Sequence, residues 1–358
     1  MTTTGSGART RLLEELFHPA IPELWCPILS HFSAKGSIDA ERTRSHLESI
    51  APYVGGILVP GSTGEGWAMP DGVRLSLLDL ALDTVRTTRQ FVLLGALKHS
   101  GEEMRSCILE TATWVMKKAG TASWREAFRK FNIVAFTICP PRGAELGQDF
   151  LSDTLASILD LGYPIALYQL PQVTGNMLTP LTVRQLAAKY PNFLMFKDTS
   201  GIDDVASAEG GYEGVFMVRG AEGSYAKWPK NGGGPYDGFL LSAANGFSLE
   251  LARMLAALRD GEAGAASRLS VRVEGVISET FALVKDFPHG NAFAVANKLI
   301  DHVRAWGARA AAVGAPLLVG GERLPGGWVS DTVGILGKHG FAVKAGYMEN
   351  RLQGRDAG

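Results

Sequence analysis

Only three cysteines, Cys26, Cys107 and Cys139, occur in 358 residues. Their odd number and wide spacing exclude a disulfide framework and a CxxC zinc pattern. A reducing compartment, the cytoplasm, is the expected setting. Long apolar runs are also missing: none approaches the ~20 residues that a bilayer-crossing helix needs. The first twenty residues, MTTTGSGARTRLLEELFHPA, hold no apolar core of signal-peptide length. Neither sign of charge is in excess, with 35 Lys+Arg against 36 Asp+Glu and a formal net charge of −1. A nucleic-acid partner, which normally selects a basic excess, is therefore not expected. No GxxxxGK[ST], HExxH or GxSxG motif is present, and GSTGEG at 61–66 has the wrong spacing for a dinucleotide fingerprint. The seven histidines, His18, His31, His46, His99, His289, His302 and His339, show no metal-ligand pairing in their spacing. No metal site is expected, and the histidines read as structural or surface residues.

What is present is an alternation of short apolar runs with longer amphipathic stretches. The runs are 24–30, 55–60, 91–97, 132–139, 164–170, 193–197, 214–218 and 237–243. Several are continuously apolar, as strands buried on both faces must be. Helix signals lie between them. Asp39 is placed to cap AERTRSHLESI, and Thr179 followed by Pro180 is an N-cap with proline at the first helical position. Eight strands alternating with helices over this span match an α/β fold of the (β/α)₈ barrel type. The expected organisation is an N-terminal extension (1–20), a barrel (21–246) and a C-terminal helical region (247–358). Within the last, the glycine-rich stretch 314–327 and the final fifteen residues are expected to be partly mobile. The segment 117–130 carries five basic residues against one acid. It reads as an insertion with a solvated face.

In such a barrel, functional groups sit at the C-terminal ends of the strands. The second run ends in Gly61-Ser62-Thr63-Gly64-Glu65, the fifth in Tyr168, and the sixth in Lys197 followed by Asp198-Thr199-Ser200-Gly201. Hydroxyls, a phenol and an amine thus share one rim. A lysine buried there loses hydration of its ammonium form, which lowers its pKa and frees the amine to attack a ketone. A phenol on the adjacent strand is a candidate proton shuttle. The glycine-rich turn lets backbone N–H groups approach an anion.

GSTGE at 61–65, YQLPQVTG at 168–175 and KDTSG at 197–201 resemble the three signatures of the dihydrodipicolinate synthase/N-acetylneuraminate lyase family. CPILSHFSAKGSID at 26–39 and GFLLSAANG at 238–246 are similar to that family's first and eighth strands, and the resemblance runs in order from about residue 21 to 300. It implies a barrel with a helical C-terminal domain, a homo-oligomer (tetramer or dimer), and Schiff-base chemistry on pyruvate or another 2-oxo acid with an aldehyde-type co-substrate. It implies no cofactor. By position, Lys197 matches the Schiff-base lysine and Tyr168 the proton-shuttling tyrosine. Ser62 and Thr63, after Gly61, match the hydroxyl pair that holds the carboxylate and aligns the tyrosine. Thr199, Gly220, Glu222 and Ser242 fall where lyase members line a polyol pocket.

Two departures shape the expected reaction. Synthase members carry an arginine where this chain has Val173, so the grip on a second substrate's carboxylate is missing. Pro140-Pro141 is followed by Arg142-Gly143 rather than by the family's interface tyrosine. The resemblance therefore implies a carbon–carbon lyase or aldolase rather than the synthase. Its rivals are a hydratase or dehydratase of a 2-oxo-3-deoxy sugar acid and a non-catalytic oxo-acid-binding protein. A cation elsewhere, Arg142 or Arg219 for instance, would be needed to replace the absent arginine.

Overall fold

A computed structural model describes residues 5–349. Eight parallel strands close into a barrel in chain order. They are β1 (Leu24–Pro27), β2 (Gly56–Val59), β3 (Phe91–Gly95), β4 (Ile133–Ile138), β5 (Ile165–Gln169), β6 (Phe193–Asp198), β7 (Phe216–Arg219) and β8 (Gly238–Leu240), and β8 pairs back onto β1. The eight apolar runs of the sequence each coincide with one of these strands, β6 and β7 running one residue past theirs. The helices of the described residues are α1 (Gly5–Leu16), α2 (Ala40–Ile50), α3 (Asp71–Thr88), α4 (Gly101–Ala119), α5 (Trp124–Lys130), α6 (Gln148–Leu159), α7 (Pro171–Thr174), α8 (Pro180–Lys189), α9 (Asp204–Ser207), α10 (Ala244–Arg259), α11 (Ala263–Val284), α12 (Ala292–Trp306) and α13 (Gly326–Lys338). Asp39 accepts from the Arg42 N–H at the start of α2, and Thr179 from the Thr182 N–H at the start of α8. Both caps are those that the sequence predicts. None of these helices is long and apolar enough to cross a membrane.

Side chains on a strand alternate between two faces, and the barrel divides its core accordingly. Ile57 and Val59 belong to the outer layer packed under the helices. Trp25, Leu58, Leu93, Ala166, Met195, Val218 and Leu240 form a separate apolar plug inside the ring. Gly56 makes room for the largest member, since a Cβ there would lie 2.1 Å from the Trp25 ring. Tyr168 and Lys197 come two residues after Ala166 and Met195, so both point inward one layer above the plug. The barrel thus delivers a phenol and an amine onto a dry floor.

The three-part organisation changes in detail. The expected boundary at 246/247 coincides with a kink at Phe247 (φ −131°, ψ 29°), beyond which α10 continues to Arg259. That helix packs against β1 and α2 and supplies the eighth helix of the alternation. The stretch 314–327 is fastened rather than loose. Leu318 and Leu324 are buried, and Leu317 forms a bridge with Arg323. Of the final fifteen residues, 350–358 lie outside the described residues. Tyr347 and Met348 are buried, and the Tyr347 hydroxyl donates to Asp301 at 2.7 Å. The basic segment 117–130 is the end of α4 plus α5. Its charges are spent on neighbouring acids, with Lys118 on Asp79 and Asp83 and Arg125 on Glu15.

The N-terminal extension closes the floor of the barrel. Phe17 joins the interior plug beside Trp25. Arg9 on α1 is fully buried, donating to the carbonyls of Phe193 at 2.8 Å and Tyr190 at 2.9 Å and also to those of Ala187 and Glu213. Of these acceptors, the Tyr190 carbonyl also takes the Phe193 N–H at 3.1 Å. Arg9→Met keeps much of the side-chain volume but removes the guanidinium donors from the carbonyls, at a cost of about 2–4 kcal/mol. The expected result is a lower urea midpoint with an unchanged slope.

Candidate active site

Tyr168 and Lys197 are direct neighbours in the β5–β6 ladder, and the Lys197 amine lies 3.9 Å from the centre of the Tyr168 ring. Both side chains are buried. Burial of the amine pulls its pKa down to about 7, only partly opposed by the nearby Cys139, Glu222 and Cys26. Burial pushes the Tyr168 phenol above its ordinary range, with Cys139 adding to the rise, while the Ser62 and Thr199 hydroxyls favour its ionised form. The thiols of Cys26 and Cys139 are themselves pushed up by burial and stay neutral. Lys197 makes no salt bridge among the described residues. The floor under the amine is therefore neutral.

Space for the lysine comes from Gly220, where β7 ends. A Cβ at that position would lie 2.5 Å from Lys197 Cε and 2.3 Å from Thr199 Oγ1. Next along, Glu222 turns back into the barrel. Its carboxylate accepts from Ser242 Oγ at 2.5 Å and the Ala243 N–H at 3.0 Å on one oxygen, and from the Tyr225 hydroxyl at 2.8 Å on the other. Burial raises its pKa against those three donors.

The turn after β2 is shaped by close backbone approaches. Gly64 sits where a Cβ would lie 2.6 Å from the Ile28 carbonyl, and Glu65 adopts φ 61°. Bonds from Glu65 N to Ser62 O (3.0 Å) and from Gly66 N to Gly61 O (2.9 Å) close the turn. The backbone N–H groups of Ser62, Thr63 and Gly64 then find no acceptor among the described residues. Such a nest of unspent donors suits a carboxylate.

Three residues near the start of α12 hold this rim from above. Asn291 donates to Ser62 O at 3.0 Å, and Asn297 to Ser242 Oγ at 3.0 Å. Lys298 pairs with Glu65, both nearly inaccessible to solvent, and Glu65 also accepts from the Val319 N–H at 2.9 Å.

The structure brings together Gly61, Ser62, Thr63, Tyr168, Lys197, Thr199, Gly220, Glu222 and Ser242, as the sequence anticipates. Val173 lies further out, half-buried on the apolar patch of Leu97, Cys139, Tyr168 and Leu170. Ser62, one of the hydroxyl pair that the resemblance assigns to aligning Tyr168, favours the ionised form of that phenol, as does Thr199, and Thr63 is buried in the same turn as Ser62. Some readings change. Arg219 is no substitute for the missing arginine, because it is locked on Asp203 and on the carbonyls of Ala221 and Gly223. Arg142 is exposed.

The histidines need correction too. His31 and His46 converge with Asp301 in a cluster of metal-ligand type. Spacing along the chain gave no sign of it, because Asp301 comes from α12. The positive charge is already supplied there: Arg42 pairs with Asp301, and His46 Nδ1 lies 2.9 Å from the same carboxylate. Burial raises the Asp301 pKa, but Arg42 and His46 hold it far below the usual carboxylate range. The donor set is that of an internal ion pair rather than a metal centre.

Residues the sequence did not single out are Cys26 and Cys139 beside the amine, Trp67 on the rim, and Asn291, Asn297, Lys298, Phe281 and Phe293 from the C-terminal helices. Trp67 followed directly on a recognised turn and was within reach of a sequence reading. The others lie far along the chain from the motifs they touch.

The architecture is a closed (β/α)₈ barrel with a lysine facing its interior. Residues 126–290 match the model of the dihydrodipicolinate synthetase family. The chain is 27% identical over 187 residues to 4-hydroxy-tetrahydrodipicolinate synthase of Methanoculleus marisnigri, covering 52% of this chain and 57% of that protein. It is 30% identical over 180 residues to the probable 2-dehydro-3-deoxy-D-pentonate aldolase YjhH of Escherichia coli K12, covering 50% and 54%. It thus spans little more than half the length of these two relatives. Among solved structures, YagE of E. coli K12 in complex with pyruvate superposes with a TM-score of 0.68 at 20% identity, over 89% of this chain and 99% of that one. The Sulfolobus 2-keto-3-deoxygluconate aldolase in complex with D-KDPG gives 0.66 at 14%, over 88% and 96%. At such identities the structures speak for the fold alone. These likenesses agree with the resemblance of the sequence motifs to the dihydrodipicolinate synthase/N-acetylneuraminate lyase family, whose model matches a little under half of this chain.

The amine's environment is directly measurable. Competitive acetylation at graded pH, read by mass spectrometry, should show Lys197 half-titrated near pH 7. Exposed lysines should titrate about three units higher.

Proposed function

We propose that the protein is a lysine Schiff-base lyase or aldolase that cleaves or forms a carbon–carbon bond beside a 2-oxo acid of the pyruvate type. The observation that carries this reading is the buried amine of Lys197, brought down to about 7 and set on the ring of Tyr168. At pH 7 an ordinary lysine is neutral in about one molecule in 2,500, whereas a group with this pKa is neutral in about half. In the cleavage direction the Lys197 nitrogen adds to the C2 ketone and water departs, leaving a protonated imine. The bond between C3 and C4 then breaks, and its electron pair moves through C3 and C2 onto that nitrogen. The proton of the C4 hydroxyl passes to the Tyr168 oxygen as that phenol hands its own proton to the oxo acid's carboxylate, and an aldehyde leaves. The enamine takes a proton at C3, and water releases the oxo acid and restores the amine. The nest at 62–64 would hold the oxo acid's carboxylate, with the Ser62 and Thr199 hydroxyls orienting Tyr168. A cytoplasmic homo-oligomer needing no cofactor belongs to the same proposal.

One observation favours a second reading. Glu222 is a buried carboxyl whose pKa is raised, and it interacts electrostatically with Lys197. A protonated carboxyl so placed could give its proton to a departing hydroxyl. The same enamine would then expel water from a 2-oxo-3-deoxy sugar acid. A product of unchanged carbon count distinguishes this dehydration from cleavage.

Incubation with pyruvate and borohydride is expected to fix one reduced pyruvyl group on Lys197, faster as pH rises through about 7. Lys197→Ala should lose both the label and turnover. Labelling that survives the substitution refutes the assignment, and a protein that binds oxo acids without any label is a binding protein rather than an enzyme of this kind.

Tyr168→Phe removes the shuttle but leaves the amine. Turnover should fall by ~10²–10⁴. Imine trapping should slow much less, so comparison of the two rates separates proton transfer from packing.

A further inference from the structure

We infer that the co-substrate carries an apolar group of about the size of a phenyl ring, held beyond Tyr168 by Trp67, Val173, Phe281 and Phe293. This deepens the Schiff-base reading and rests on it. Two cavities that share Gln172, Phe281 and Phe293 adjoin the site, one lined by Ser62 and the other by Thr199 and Glu222. The larger, of about 650 Å³, is lined by Trp67, Ala68, Val173, Phe281, Phe293 and Val319, with Ser62 and Glu65 at its base. The smaller, of about 350 Å³, contains Thr199, Ser200 and Glu222.

Three observations direct the co-substrate to the larger one. First, the apolar lining is continuous with the reacting phenol. Trp67 and Val173 pack on the patch that contains Tyr168, Leu97, Leu170 and Cys139. A group attached to the carbon whose oxygen meets Tyr168 therefore runs onto apolar surface. Second, the side-chain polar groups of Trp67, Glu65 and Asn291 at this cavity are already bonded. The Trp67 indole N–H donates to Ser62 Oγ at 2.8 Å, and Glu65 is paired with Lys298. The rings of Phe281 and Phe293 meet edge to face at 5.6 Å and roof the space without a polar tip. Third, the carboxylate of the competing polar corner has little capacity left, and the Thr199 hydroxyl is the buried polar atom there without a partner among the described residues. Glu222 already accepts three hydrogen bonds of the roughly four a carboxylate takes, so few remain for a chain of sugar hydroxyls.

The test is aldol formation from pyruvate with four aldehydes: 3-phenylpropanal, benzaldehyde, glyceraldehyde and erythrose. The phenyl-bearing aldehydes should exceed glyceraldehyde in kcat/KM by at least about tenfold, the discrimination that burying several methylene-sized groups supplies. Phe293→Ala should shrink that ratio at least about fivefold, and Val173→Arg should move preference toward succinic semialdehyde, whose far end is a carboxylate. Only variants that still take the pyruvate label are compared, since the label reports a folded site. Preference for glyceraldehyde or erythrose in a wild-type enzyme that takes the label overturns the inference and leaves the Schiff-base reading standing. If no label forms, that reading falls separately, and the cavity is judged by titration with 3-phenyl-1-propanol. Fluorescence quenching lost in Trp67→Phe supports the apolar site, and its absence overturns it.

Discussion

The site is governed by the free-energy cost of keeping an ammonium ion away from water. Lys197 ends a strand whose earlier residues are apolar, inside a ring whose lower layers are filled by Trp25, Leu58, Leu93 and Met195. A cation at that depth would need a partner, and no carboxylate closes on it among the described residues. The amine instead gives up its proton more readily, which is what a nucleophile requires at neutral pH. The surrounding features serve this condition. Gly220 leaves the space, the thiols contribute no charge, and Glu222 remains tied to Ser242, Tyr225 and the Ala243 N–H rather than pairing with the lysine.

The same constraint explains the division of labour between strands. Period-two alternation fixes that Tyr168 and Lys197 face inward, and parallel pairing sets them side by side. The proposed anion subsite lies elsewhere, at the turn after β2, where unspent backbone donors provide partial charge without a buried cation. A guanidinium close to Lys197 would hold a carboxylate more tightly but would depress the amine's protonation further. Arg219 illustrates how the chain handles such a group, binding it fully to Asp203 and to backbone carbonyls.

Most of the barrel was legible because its signals are local. Each apolar run is short enough to be a strand, Asp39 and Thr179 are caps by chemistry, and strand ends are where a barrel presents function. The lysine, phenol and hydroxyls followed from position alone. The roof was not legible. Asn291 to Ser62, Asn297 to Ser242 and Lys298 to Glu65 join residues 229, 55 and 233 positions apart. Nothing in helical periodicity tells which polar residue of an amphipathic helix will meet a partner so distant. The convergence of His31 and His46 on Asp301 was missed for the same reason. The expectation of a mobile 314–327 failed because glycine content reports backbone freedom and not the contacts that use it. Val319 and Leu317, within that stretch, bond to the very ion pair that braces the catalytic turn.

The bracing by α12 has a consequence for how this chain can be divided. A (β/α)₈ barrel is usually thought of as a self-sufficient scaffold on which outer segments are ornaments. Here the turn that receives the anion is tied to Asn291 and Lys298, and the hydroxyl that orients Glu222 is tied to Asn297. Cutting the chain after Arg259 would leave every residue of the ring present but the rim without its ties. The two pieces would have to reassociate before the constellation existed. An exchange of either half alone would therefore have to restore the ties that Asn291, Asn297 and Lys298 make to the rim.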